Sequence, residues 1–167
     1  VTLDRTPEAN LRRQIARTNF SIQDALNVWL LKEKTHPQNQ QIRETLSRTA
    51  TILEFNLMLC RSVSSYKAKL SSDFVRGYFI GFLDASLQYS NAPLRDDEEF
   101  FICMLYGHEA LLRKDIGSTD EYTRASMQLQ GVEGFDKGQA AGGRDYFDFM
   151  NNQIKSPTTL LQIFRDQ

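Results

Sequence analysis

Two cysteines, two histidines and four prolines in 167 residues leave little room for several kinds of chemistry. A disulfide-stapled scaffold needs more cysteine, and a zinc site built on Cys and His needs more of both. No apolar run reaches the roughly 18 residues of a membrane span, because Arg76 and Asp84 bracket the longest one. A G-x-S-x-G elbow, a P-loop, a dinucleotide-binding glycine fingerprint, C-x-x-C and H-E-x-x-H are all absent, so no catalytic residue, metal or cofactor is assigned. A strong excess of either charge is also lacking. Net charge is −1, which argues against a nucleic-acid binder.

What remains is an ordinary apolar fraction, 41% hydrophobic with 25% charged residues, on a chain long enough for one domain with a sizeable core. Charge is split along it. Residues 1–83 hold 12 Lys/Arg against 7 Asp/Glu, and residues 84–167 hold 8 against 14. Cys60 and Cys103 fall within apolar helical patterns and read as reduced core thiols. With no disulfide framework and no charged-then-apolar signal segment, a cytoplasmic setting is expected.

Helix punctuation recurs throughout. Thr6-Pro7-Glu8 and Ser21 with Asp24 open two short helices, the second ending before His36-Pro37. From Gln38 to Tyr66 there is neither Gly nor Pro. Ile42, Leu46, Thr49, Leu53, Asn56, Cys60 and Val63 recur there at 3–4 spacing, widened by Ile52, Phe55, Leu57 and Leu59, which predicts a long central helix contacted on several sides. Ser71, Ser72 and Asp73 offer caps for the next helix. Asp96-Asp97-Glu98-Glu99 open another, Ser118 with Glu121 forms a capping box, and Ser156-Pro157 starts a last helix. The fold class expected is all-α: a single-domain bundle of about seven or eight helices around the long one, with residues 131–143 the hardest to place.

The richest stretch is Phe74-Val75-Arg76-Gly77-Tyr78-Phe79-Ile80-Gly81-Phe82-Leu83-Asp84-Ala85. At about 100° per residue, Phe74, Gly77, Gly81 and Asp84 share one helical stripe. Two interior glycines cost about 1 kcal/mol each relative to alanine, so the stripe reads as a seam for close approach of another helix. Phe135, Lys137, Gly138, Gly142 and Asp145 repeat its Phe, basic residue, Gly, Gly and Asp 61 residues later. A true repeat implies two helices about a pseudo-twofold axis with Asp84 and Asp145 close together.

A polar pocket is the competing use of these residues. Asp84, drawn inward by its stripe, joins Asp145 and Asp148 there, and His108 with Glu109 are the remaining acid-base pair. His108 also reads as an axial ligand for haem against Phe100, Phe101 and Tyr106. Arg43 and Arg48 face DNA if residues 22–34, the turn at 35–37 and the long helix form a helix-turn-helix.

Two local resemblances accompany the glycine stretch. Gly81-Phe82-Leu83-Asp84-Ala85 resembles the core of the LAGLIDADG homing endonuclease helix, which implies glycine-packed helices and a metal-binding acid, although Ser86-Leu87 stands where that family has Asp-Gly. Arg76-Gly77-Tyr78 with Gly81, Asp84 and Ala85 is similar to a helix of small secretion-system immunity proteins, without their nearby cysteines. The functional expectation is a non-catalytic protein-interaction domain, an adaptor, regulator or immunity-type inhibitor. It binds another protein or a second copy as a homodimer, with contact faces around Trp29 and Tyr89. A small-molecule or haem-binding sensor or enzyme at Asp84 and His108, and a DNA-binding regulator, are the alternatives.

Overall fold

The computed structural model describes residues 37–166 apart from 93 and 95. Among these residues there are seven helices and no strand: α1 (Pro37–Cys60), α2 (Tyr66–Leu70), α3 (Asp73–Tyr89), α4 (Asp97–Leu112), α5 (Thr119–Met127), α6 (Glu133–Met150) and α7 (Thr159–Arg165). No helix of the described part is long and apolar enough to cross a membrane. The two helices expected before His36, and Trp29, lie outside the described residues.

The caps that start α3, α4 and α5 are ones the sequence offers. Ser72 Oγ accepts from the Val75 amide, Asp96 Oδ1 from Glu99 at 2.8 Å, and Ser118 Oγ from Glu121 at 3.3 Å, each satisfying an N–H that the first turn leaves unpaired. The last helix, expected from Ser156-Pro157, begins instead at Thr159, and Thr158 before it makes no side-chain cap hydrogen bond. Expected boundaries move in two further places. The long helix stops at Cys60 rather than near Tyr66, and the chain leaves it through two tight turns in which Val63 N–H donates to the Cys60 carbonyl and Tyr66 N–H to that of Val63, both at 3.0 Å. The glycine-rich segment after Gly131 is a full helix, α6. It follows a turn in which Gly131 takes φ 83° and donates its N–H to Asp136 Oδ1, a left-handed backbone that glycine adopts without penalty.

The core is organised by α3. Its Val75, Tyr78, Phe79, Phe82 and Ala85 enter one apolar cluster with α1, α5 and α7, while Ile80, Leu83 and Leu87 enter a second with α4 and Phe135. A helix apolar all round has to be covered all round. Accordingly, α3 packs against α6, α1, α4, α2 and α5. The long helix α1 lies on α3, α4 and α7. It buries Ile42, Leu46, Thr49, Leu53, Asn56, Leu57 and Cys60 along one side. Ser47 with Tyr106 and Arg61 with Asp115 mark contacts that advance together along α1 and α4, so these two helices run parallel.

Candidate functional site

The glycine seam is where two backbones meet. A Cβ placed on Gly77 lies 2.0 Å from the Phe135 carbonyl oxygen, and one on Gly81 lies 2.0 Å from that of Gln139. The reverse contacts match: Gly138 against the Phe74 carbonyl at 2.0 Å and Gly142 against that of Tyr78 at 2.1 Å. Every pair advances in the same direction, so α3 and α6 are parallel. The contacts also exchange under the 61-residue offset of the two motifs, which is the signature of a local twofold. Only residues without a side chain permit this approach.

The twofold is broken in its polar members. Asp145, 8% exposed, accepts a 2.7 Å hydrogen bond from Tyr78 Oη. Burial and the facing carboxylate push the Tyr78 hydroxyl well above its ordinary range. At the equivalent of Tyr78 stands Gln139. Asp84 is half-buried and accepts instead from Gln88 Nε2 of its own helix at 2.8 Å, with burial raising its carboxyl. Asp148 uses its carbonyl to receive the amides of Gln153 and Ile154.

His108 lies at the junction of α3, α4 and α5 and is fully buried. Its Nδ1 is 2.8 Å from Thr123 Oγ1, whose own proton goes to the Thr119 carbonyl. The imidazole is therefore the donor and carries its hydrogen on Nδ1. Nε2 has no partner. The ring meets Tyr122 and Phe79 edge-on at 5.2 and 6.5 Å between centroids. Burial, reinforced by the Arg76 guanidinium, holds its pKa down at about 3, so it is neutral. Glu109 turns away, accepting from Thr119 Oγ1 and lying 3.9 Å from Arg113 Nε.

The hydrogen bonds of Asp84, His108, Glu109, Asp145 and Asp148, the residues of the expected pocket, run to different partners: Gln88 and Tyr78 on α3 for the first and fourth, Thr123 and Thr119 on α5 for the second and third, and the amides of Gln153 and Ile154 for the last. The aromatic residues named with His108 for the haem reading are not the ones that the ring contacts place against it. The rings against His108 are Phe79 and Tyr122, whereas Phe101 packs in the cluster with Ile80 and Leu83, and Tyr106 hydrogen-bonds Ser47 at 3.0 Å. Cys103 is buried, with burial lifting its thiol to about 12, which suppresses the thiolate a nucleophile requires. Among the described residues no three His, Cys, Asp or Glu side chains group as metal ligands.

Two shallow surface depressions, of about 490 and 430 Å³, flank Tyr106 in the seam between α1 and α4. Arg43 and Arg48 border the first. Arg43 stacks over the Tyr106 ring and Arg48 lies 3.9 Å from Glu44. The first helix of the helix-turn-helix reading lies outside the described residues.

One feature ran against the sequence pattern. Phe55 and Leu59, expected to widen the buried seam of α1, are 59% and 44% exposed, and Met58 is 55% exposed. Positions i, i+3 and i+4 of a helix lie side by side, so the three form one apolar patch on the last turns of α1. The face before it carries Gln41, Glu44, Arg48 and Thr51, also exposed. Tyr89 is 42% exposed but leans on Tyr146 and Phe147.

No protein-family model, curated protein or solved structure matches this chain.

Proposed function

We propose that this chain is a non-catalytic helical protein-interaction domain, an adaptor, regulator or inhibitor that binds another protein through Phe55, Met58 and Leu59. The observation that carries the reading is the exposure of these three large apolar side chains together, at helical spacing, with polar residues on the turns before them. Single exposed apolar residues are ordinary, whereas a contiguous rimmed patch marks a contact surface. The polar candidates for chemistry support the same reading, since Asp145, His108 and Glu109 serve contacts between helices. The similarity of Arg76-Gly77-Tyr78, Gly81, Asp84 and Ala85 to the immunity-protein helix favours the inhibitor among these roles. A cytoplasmic setting, which keeps both buried thiols reduced, completes the proposal.

The test is a photo-crosslinking amino acid placed at Phe55 of the full chain in its native cells, with the same group at exposed Arg144 on α6 as reference. A discrete adduct at position 55, missing at 144 and lost when Met58→Asp is added, is expected. An adduct of twice the chain mass identifies a second copy as the partner. No adduct, equal adducts at both positions, or a crosslink confined within one chain overturns the reading.

A further inference from the structure

The layer around His108 has a property beyond packing. Arg76 on α3 reaches across to α5. It donates to the Tyr122 carbonyl at 2.9 Å and to Ser126 Oγ at 3.0 Å, with its guanidinium 4.0 Å above the Tyr122 ring. Tyr122 Oη donates to the Leu70 carbonyl. His108 on α4 lies edge-on to Tyr122 and donates to Thr123. The charged and titratable groups facing the imidazole are therefore Arg76 from α3 and Tyr122 from α5. On α4 itself, the neighbouring Glu109 is committed to Thr119 and Arg113. A second proton on this ring would sit on buried Nε2 with no acceptor within hydrogen-bond reach and a guanidinium nearby. The closed arrangement tolerates only the neutral ring.

We propose that α5 is an acid-released latch: in mildly acidic solution, protonation of His108 in the opened state draws α5 off α3 and α4 while the glycine-paired helices stay folded. The short α5 is suited to leave first. It is nine residues long, and its ties to the neighbouring helices are the Arg76, His108, Thr119 and Tyr122 contacts just described, Arg124 stacked over the Phe101 ring at 5.3 Å, and the buried side chain of Met127. Sub-global opening of such units is the usual form of local instability. The direction follows from linkage. An opened imidazole titrates near its ordinary value of about 6.5, and the closed one does not take the proton there, so each pH unit below that value favours opening about tenfold. Release uncovers the Phe79 and His108 rings, making an apolar surface whose exposure depends on pH.

Amide hydrogen exchange over Thr119–Met127, corrected for intrinsic rates and measured on the whole chain at pH 7.0 and 4.5, tests this. The opening constant of α5 should rise about 100-fold across that interval, while amides in α3 and α6 change far less. His108→Asn keeps a donor for Thr123 and His108→Phe keeps the ring contacts, and neither side chain titrates. Both should remove the acid response. An acid response that persists in both variants, or wild-type α5 protection that is the same at the two pH values, overturns the proposal. If neither variant folds, the wild-type chain decides alone: exchange in α5 rising ahead of α3 and α6 supports the latch, and all helices rising together contradicts it.

Discussion

The α3/α6 seam and the last turns of α1 are opposite solutions to the same chemistry. Along the seam, Gly77, Gly81, Gly138 and Gly142 remove side chains so that two backbones touch. On α1, Phe55, Met58 and Leu59 keep large apolar side chains and turn them to solvent. Four glycines inside helices cost roughly 4 kcal/mol in backbone terms, which only intimate packing offsets. Three exposed apolar residues gain almost nothing for the fold. The first arrangement has a structural explanation complete in itself, and the second calls for something outside the described helices. The seam builds the molecule; the patch is the surface we propose for a partner.

The largest effect should come from closing the seam. Gly81→Ala or Gly142→Ala drives a methyl to about 2 Å from a carbonyl oxygen of the facing helix, and a backbone, unlike a side chain, cannot rotate away. We expect a loss of about 3 kcal/mol or more in urea unfolding. Gly117→Ala, where nothing lies within 4 Å, should stay within about 0.5 kcal/mol of wild type. Equal losses at all three positions would erase the distinction.

A smaller loss should follow Tyr78→Phe, which leaves the Asp145 carboxylate buried without its donor. About 2 kcal/mol is expected by denaturant unfolding, and Asp84→Asn, at a half-buried position bonded only within its own helix, should cost less. If the two cost the same, the polar asymmetry of the seam is of no consequence.

Below that comes the clasp that fixes the far end of α1. Arg61 donates to both oxygens of Asp115 at 3.0 and 2.8 Å and to both of Glu54 at 2.7 and 2.9 Å. Arg61→Met should cost about 1 to 2 kcal/mol at pH 7, discounted for the solvent exposure of Glu54. The sign with pH is fixed: Arg61 holds the Asp115 carboxyl below its ordinary range. Its contribution is present above the unfolded aspartate value of about 3.9 and is lost as pH falls through the lower folded value. The difference between variant and wild type should therefore shrink in acid. A difference that grows there would exclude the clasp as its source.

Much of the seam was legible in the sequence, because glycine inside an apolar helix is costly enough to announce a reason and the offset between the two motifs named the partner helix. The parallel direction was not, since spacing along one helix says nothing of the neighbour's polarity. Periodicity also overreached on α1. Phe55 and Leu59 fall beside a 3–4 pattern of apolar residues, and a pattern does not say how wide the covered stripe is. His108 was singled out for its reactivity, yet its role depends on Thr123 and Tyr122, fifteen and fourteen residues further on, which no local motif connects to it. Arg61 and Arg76, each bridging elements about 50 residues apart, carry no sequence signal for the same reason.

The smallest expected effect is the most direct test of the central claim, that the apolar end of α1 serves a partner and not the fold. Phe55→Gln, Met58→Gln and Leu59→Gln together, in the full chain, should leave the free energy of urea unfolding within about 1 kcal/mol of wild type, because glutamine is a good helix former and the positions face solvent. A loss of about 3 kcal/mol or more, the scale of truncating buried side chains, would show that the chain itself covers this patch and would contradict the account.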